Sequence, residues 1–192
     1  MRFTYPIQFS LRGIVAGLAV VLLAVLGASI PAAADTPAAN ELAQAATAQA
    51  VVMSTSEPDK TLGEATFTET ADGLEVSVSL SGVSPGYHGF HIHEAGSCAD
   101  GGKAAGGHYN PTAVKHGYLP SEGLSDAHAG DLGNIFISAS GSGRLTETIP
   151  GLSISGNAPA IADLAVILHA DRDDFGQPTG NAGGRVGCGL IE

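Results

Sequence analysis

The sequence has 192 residues, a length that favours one domain plus additional segments. Its 27 glycines, the absence of tryptophan and the low share of charged residues (14%) favour short strands joined by glycine-rich turns over a helical bundle. The formal net charge of −11 at pH 7 excludes nucleic acid as an expected partner, because phosphate recognition requires a basic surface.

An apolar run near the N-terminus predicts export from the cytoplasm. Arg2 and Arg12 precede a stretch of apolar and small residues at 13–30, and Ala32 and Ala34 then fit a small-residue cleavage site. We therefore expect residues 1–34 to be a secretory signal peptide. The alternative is an uncleaved membrane tether through residues 13–30, because 18 residues can just span a bilayer. In either case the domain is expected to be periplasmic, at the cell surface or secreted.

The remaining chain divides into a tether and a domain with strand patterns. Residues 35–47 are expected to be a flexible tether, residues 40–50 are also compatible with a weak helix, and the folded domain is expected at 48–192. Apolar residues alternate with polar ones from Leu74 to Leu80, which predicts a half-buried strand that pairs with residues 64–69. Further strand patterns occur at 50–55, 87–93, 134–138, 143–149 and 165–168.

Two long segments, at 94–133 and 171–189, show little strand pattern and are expected to be mostly loop. Loops this long in a compact domain are usually functional. Several short strands with two long loops predict an all-β fold, either a β-sandwich or a flattened barrel. Each long segment carries one cysteine, Cys98 or Cys188. In an exported protein, a disulfide between two distant cysteines is favoured over two reactive thiols.

The seven histidines are the most informative residues, because all of them follow residue 87 and six lie in the long loops or at the strand ends that border them. His91 and His93 present two imidazoles on the same side of a strand, since residues i and i+2 share a face. Three nitrogens and one carboxylate, a complete tetrahedral set for Zn²⁺, come from His108, His116, His128 and Asp131. With His169 there are seven donors, one fewer than two four-ligand sites need. One imidazole shared by two metals would resolve the count.

Four segments carry a specific resemblance: GFHIHE at 89–94, GHYNP at 107–111, HAGDLGN at 128–134 and GNAGGRVGCG at 180–189. In this order they resemble the copper/zinc superoxide dismutase family, in its exported bacterial form, from about residue 48 to the C-terminus. The resemblance implies a Greek-key β-sandwich or flattened eight-stranded barrel with two long functional loops. It also implies copper and zinc as cofactors, and the disproportionation of superoxide to dioxygen and hydrogen peroxide as an antioxidant defence.

The resemblance further implies a role for each site residue. The copper ligands correspond to His91, His93, His108 and His169, and the zinc ligands to His108, His116, His128 and Asp131. His108 is the imidazole that bridges the two metals, and Arg185 lies beside the open face of copper, so both are the expected catalytic residues. Asp173 corresponds to a carboxylate that links a copper histidine to a zinc histidine. Cys98 and Cys188 correspond to the family disulfide, and His88 to a structural histidine.

Two departures from the family pattern bear on substrate attraction and assembly. The loop at 175–179 is short and lacks the lysine that is thought to steer superoxide, so steering is either weaker or supplied from elsewhere, with Lys103 and Lys115 as candidates. The spacing around Cys98 leaves both a monomer and a homodimer open. Three alternatives to the enzyme are a metal storage or delivery protein, a copper-only relative and an adhesion-type sandwich. The complete residue set favours the enzyme over all three.

Overall fold

The computed structural model describes residues 45–192, so the expected signal peptide at 1–34 and most of the expected tether lie outside the described residues. Within this range the chain forms eight strands, a turn of 3₁₀-helix at Lys103–Ala105 and one short α-helix, α1, at Leu119–Glu122. No helix in this part of the chain has the length and apolar surface that a membrane crossing requires. The strands are β1 (Thr47–Ser54), β2 (Thr61–Thr70), β3 (Gly73–Leu80), β4 (Gly86–His93), β5 (Asn134–Ile137), β6 (Gly143–Ile149), β7 (Ala165–His169) and β8 (Arg185–Leu190).

The strands of the described domain close into one antiparallel barrel in the order β1-β2-β3-β6-β5-β4-β7-β8. The consecutive strands β3 and β4 are separated by β6 and β5, which is the long crossover of a Greek key. Pairing of Met53 with Cys188 and of Ser54 with Gly187 joins β1 to β8 and closes the ring. The predicted all-β, eight-stranded Greek-key fold is confirmed.

The inside of the barrel is filled by the alternate residues of its strands. In β3, Leu74, Val76, Val78 and Leu80 are all buried, as the alternation predicts, and Phe67 of β2 and Phe90 of β4 pack among them. Each such side chain contributes about 1.5–3 kcal/mol when it is fully removed from water. This core makes the barrel wall a rigid support for the loops outside it.

Strand β4 is buried on both faces, which distinguishes it from β3. Phe90 and Ile92 point into the barrel core, while His91 and His93, on the other face, are covered by the long loops and are equally inaccessible. Beside β4, strand β7 is buried along its whole length, and its outer face carries a second apolar cluster. The cluster consists of Ala105, Ala165, Ile167 and Cys188, with Cys98 packed against it.

Residues 171–189 are mostly loop, as expected, since 171–184 contains no strand. The strand β8 at Arg185–Leu190, paired with both β7 and β1, was not recognised from the sequence pattern. Its glycines weaken the strand signal and are nevertheless required, because a Cβ on Gly189 would lie 2.6 Å from the carbonyl oxygen of Val51. The weak helix with which residues 40–50 are compatible is absent from the described residues 45–50, because β1 begins at Thr47 and pairs with β2.

Candidate metal centre

The structure brings seven of the predicted site residues together into two groups that share one histidine. The ligand atoms within each group lie within 4.8 Å of one another, and every member is buried. The first group is His91, His93, His108 and His169. The second group is His108, His116, His128 and Asp131. His108 therefore stands between the two groups, as the shared imidazole in the donor count requires.

Strand pairing positions the first group. His91 and His93 project from the outer face of β4, and His169 ends the neighbouring strand β7, where a register shift follows Leu168. His108 comes from the loop after β4 and forms an isolated β-bridge with His93. The Nε2 atoms of His93 and His169 lie 3.4 Å apart, so two imidazoles from adjacent strands converge on one point.

In the first group each strand histidine has one ring nitrogen in a hydrogen bond and directs the other into the group. Nε2 of His91 donates to Asp173 at 2.7 Å, and Nδ1 of His93 donates to the Gly106 carbonyl at 3.0 Å. The Nδ1 of His91 is buried and has no hydrogen-bond partner among the described residues. A neutral imidazole donates from one nitrogen only, so the other keeps a lone pair. Three such lone pairs directed at one point fit a metal ion.

Burial keeps these imidazoles neutral. Desolvation lowers the pKa of His91 to about 4, that of His93 to about 2 and that of His169 to about 3. Neutral imidazole is the form that binds metal ions, so at neutral pH the first group needs to lose no proton at these three residues.

The second group is assembled around the carboxylate of Asp131. Nδ1 of His108 and Nδ1 of His116 each lie 2.8 Å from one of its oxygens, and Nδ1 of His128 lies 3.1 Å away. The backbone N–H groups of Gly117 and His128 donate to Oδ2 of Asp131 at 3.0 and 3.1 Å and fix its orientation. Three nitrogens and one carboxylate in a closed, buried site are a structural zinc set.

In the second group, Asp131 and His116 favour their charged forms although both are buried. Burial opposes ionisation of Asp131, yet the imidazoles of His108 and His116, each 2.8 Å from one of its oxygens, lower its pKa well below the usual range. Burial likewise opposes the charge on His116, but the carboxylates of Asp131 and Asp173 beside its ring raise the pKa of His116 to about 9. In the absence of a cation, the two carboxylates thus hold a proton on His116. A bound metal ion would supply that positive charge instead.

Asp173 joins the two groups, as the resemblance implies. One of its oxygens lies 2.7 Å from Nε2 of His91 and the other lies 3.0 Å from Nε2 of His116. Asn134, at the start of β5, exchanges two hydrogen bonds with the Asp173 backbone, at 2.7 and 2.9 Å. A Cβ on Gly180, whose φ is +75°, would lie 1.9 Å from an Asp173 oxygen. The backbone at residue 180 therefore approaches this carboxylate too closely for any residue but glycine.

Arg185 lies beside the opening of the first group. A depression of about 210 Å³ is lined at its base by the buried His93, His108 and His169, and at its rim by Arg185, Thr179 and Asn181. The guanidinium donates from Nη1 to Gly102 O at 2.5 Å and from Nη2 to Gly106 O at 2.6 Å. Among the described residues lining this depression there is no lysine, and Lys103 and Lys115 lie exposed outside it.

The remaining predicted residues lie at the edge of the site. His88 belongs to neither group, and its ring nitrogens lie 2.8 Å from the His169 carbonyl and 2.9 Å from the Ser84 carbonyl. The predicted disulfide is confirmed, since Cys98 and Cys188 are bonded with Cα atoms 5.7 Å apart. Two amide side chains, Asn134 and Gln177, contact the site but were not predicted, because an amide that bonds to a distant backbone leaves no pattern in sequence.

Known proteins similar to this chain in sequence or fold include copper/zinc superoxide dismutases. Residues 61–191 match the family described as Copper/zinc superoxide dismutase (SODC). An extracellular superoxide dismutase [Cu-Zn] of Haemonchus contortus is 40% identical over 141 residues, which cover 70% of this chain and 75% of the relative. The Cu/Zn superoxide dismutase of Brucella abortus superposes with a TM-score of 0.64 at 31% identity, over 77% of this chain and 100% of that one.

A superoxide dismutase-like protein of Bacillus subtilis is similar to the same degree, with a TM-score of 0.64 at 33% identity over 73% of this chain and 95% of that one. The family match covers both histidine groups, the disulfide and Arg185. The chain therefore belongs to the copper/zinc superoxide dismutase family.

Proposed function

We propose that the domain converts two superoxide anions and two protons into dioxygen and hydrogen peroxide, with copper in the first group and zinc in the second. The observation that carries this proposal is the position of His108, a member of both groups, with Nδ1 facing Asp131 and the ring edge at the open depression. When bound, copper supplies a one-electron redox couple, while zinc supplies a fixed charge.

His108 is the residue proposed to move a proton. Its Nδ1 is held on the side of Asp131, which leaves Nε2 for the first group and for the depression. A proton placed on Nε2 is within reach of an anion bound in the depression, so His108 can donate it as peroxide forms. Asp173 accepts hydrogen bonds from His91 and His116, the rings of which both neighbour His108, and so keeps their orientations fixed.

Arg185 is proposed to hold the substrate. Two of its five N–H donors are occupied by Gly102 and Gly106, and this fixes the plane of the guanidinium at the rim. The remaining donors and the positive charge are available to a small anion over the first group. In a strongly acidic chain, such a fixed local cation is what an anionic substrate requires.

The test is superoxide disproportionation by the copper- and zinc-loaded protein compared with a His108→Ala variant. We expect metal-dependent activity in the first and a loss of at least a hundredfold in the second, in line with the removal of a general acid. Metal content is measured in both proteins. If the unaltered protein binds both metals tightly but shows no activity, the proposed dismutase function is rejected. Metal storage or delivery then remains as the alternative function.

We further propose that residues 1–34 are removed as a signal peptide, with the uncleaved tether through 13–30 as the alternative. The exported location rests on the extracellular relative and on the disulfide, which persists in oxidising compartments. Mass spectrometry of the mature protein distinguishes an N-terminus at Asp35 from an intact one. Fractionation then separates periplasmic, cell-surface and secreted forms.

Assembly as a homodimer is a separate proposal. The rings of Tyr87 and Phe136, on β4 and β5, lie 5.0 Å apart and are 52% and 54% exposed. Exposed aromatic residues are enriched at protein interfaces. Sedimentation analysis of the protein and of a Phe136→Ser variant tests it: a dimer that dissociates in the variant supports this surface, and a monomeric unaltered protein rejects it.

A further inference from the structure

We propose that Gln177 is a positioning residue for His116, which it holds in place for zinc through two hydrogen bonds to the His116 backbone. This inference rests on the proposed assignment of His116 to the zinc group. It gives the short loop at 175–179 a function in the metal centre.

The contact between Gln177 and His116 is reciprocal. Nε2 of Gln177 donates to the His116 carbonyl at 2.8 Å, and Oε1 accepts from the His116 backbone N–H at 3.1 Å. A side-chain amide has one donor edge and one acceptor edge, so it satisfies both backbone groups of one residue as a neighbouring strand would. Asparagine is the other side chain with this planar amide, and it is one methylene shorter.

Two residues just before Gln177, Phe175 and Asp173, also lie against the His116 ring. The Phe175 ring lies 6.4 Å from the His116 ring, with 24° between their planes, and Asp173 accepts from Nε2 of His116 at 3.0 Å. Residues 173–177 thus reach the backbone, the ring face and the ring edge of one imidazole.

The loop is held firmly enough to act as a support. Gly180 donates to Gly176 O at 2.7 Å, Asp174 donates to Gly180 O at 2.9 Å, and the Asp174 carboxylate accepts from the Gly176 N–H at 2.8 Å. These bonds fix the loop on itself, so its contacts with His116 cost little additional ordering. In the described part of the chain His116 is also the ligand that lies within 3.0 Å of both Asp131 and Asp173. A displaced His116 therefore disturbs both groups.

The experiment compares the full chain with Gln177→Ala and Gln177→Glu variants, by zinc titration against a chelating indicator and by the visible spectrum of Co²⁺ bound in place of zinc. Gln177 is exposed, so neither change leaves a cavity and both variants are expected to fold. Gln49→Ala is the matched control, since Gln49 is exposed on β1 and its side chain makes no hydrogen bond with the described residues.

We expect Gln177→Ala to weaken zinc binding about tenfold and to shift the Co²⁺ bands, as is typical when a partner that orients a ligand is removed. Gln177→Glu keeps the acceptor but places an oxygen against the His116 carbonyl, so it should weaken zinc binding at least as much. Gln49→Ala should leave both the zinc affinity and the Co²⁺ bands unchanged.

A His116→Ala variant separates failure of this inference from failure of the zinc assignment. If His116→Ala weakens zinc binding while both Gln177 variants stay within twofold of the unaltered protein with unchanged Co²⁺ bands, the inference is overturned and the assignment stands. If His116→Ala leaves zinc binding unchanged, the assignment itself fails and the inference falls with it. A lower melting temperature of the metal-free Gln177 variants with normal Co²⁺ bands would also overturn the inference, since that is a merely structural effect.

Discussion

The Cys98–Cys188 disulfide is expected to contribute a large part of the free energy of unfolding of the metal-free domain. It closes a loop of 90 residues and packs in the second apolar cluster on the outer face of β7. Replacing both cysteines by alanine opens that loop in the unfolded chain and leaves the barrel strands intact. The change therefore acts mainly by giving the unfolded state more conformations.

The magnitude follows from the loop length. A closed loop of 90 residues lowers the entropy of the unfolded chain by about 15.5 cal/mol/K, which is about 4.6 kcal/mol at 25 °C. For a domain of this size, 1 kcal/mol shifts the melting temperature by about 2–4 °C. The Cys98→Ala/Cys188→Ala protein should therefore melt about 9–18 °C below the unaltered protein.

Calorimetry of the metal-free proteins measures this difference without the stabilisation that metal binding adds. Unaltered protein treated with a thiol reductant is the control, because reduction opens the same loop without removing a side chain. The reduced protein and the double variant should melt together. A shift below about 3 °C would refute the loop-entropy argument, and a large shift in the variant alone would assign the effect to packing.

Two further predictions concern the charges of the site. Arg185→Lys keeps the positive charge but loses the planar guanidinium that donates to the Gly102 and Gly106 carbonyls together. The rate of dismutation should therefore fall about tenfold or more while both metals stay bound. Loss of metal or unchanged activity would contradict this prediction. In the metal-free protein, burial depresses the pKa of three imidazoles of the first group to between about 2 and 4. In the unfolded chain these imidazoles bind protons near pH 6.5, whereas in the folded chain they stay neutral until a lower pH. The free energy of unfolding should therefore fall as the pH drops from about 6.5 towards 4. Melting temperatures that are equal at pH 7 and pH 5 would contradict the second prediction.

The sequence predicted those parts of the molecule that depend on local periodicity or on clustering of one residue type. Alternation from Leu74 to Leu80 identified a strand whose inner residues are all buried. The spacing of His91 and His93 predicted two imidazoles on one face of β4, where the structure has them. Both patterns arise from the geometry of a single strand, which is why they are visible without tertiary structure.

Other features depend on contacts between distant segments and left no pattern in the sequence. The strand β8 shows little strand pattern because Gly187 and Gly189 interrupt it, yet both glycines are required by close approach to β1. Asn134 and Gln177 bond to backbone groups 39 and 61 residues away, and many sequences could bring an amide to such a place. The resemblance supplied the roles of Asp173 and Arg185, which no local pattern indicates.

The two faces of β4 have separate consequences for how this protein can change. The inner residues Phe90 and Ile92 are constrained by the packing of the barrel core. The outer residues His91 and His93 are constrained by the geometry of the first histidine group. A substitution on the inner face of β4 therefore changes the packing of the core, whereas one on the outer face changes the histidine groups. A single strand thus separates the residues that fold the domain from those that form its site.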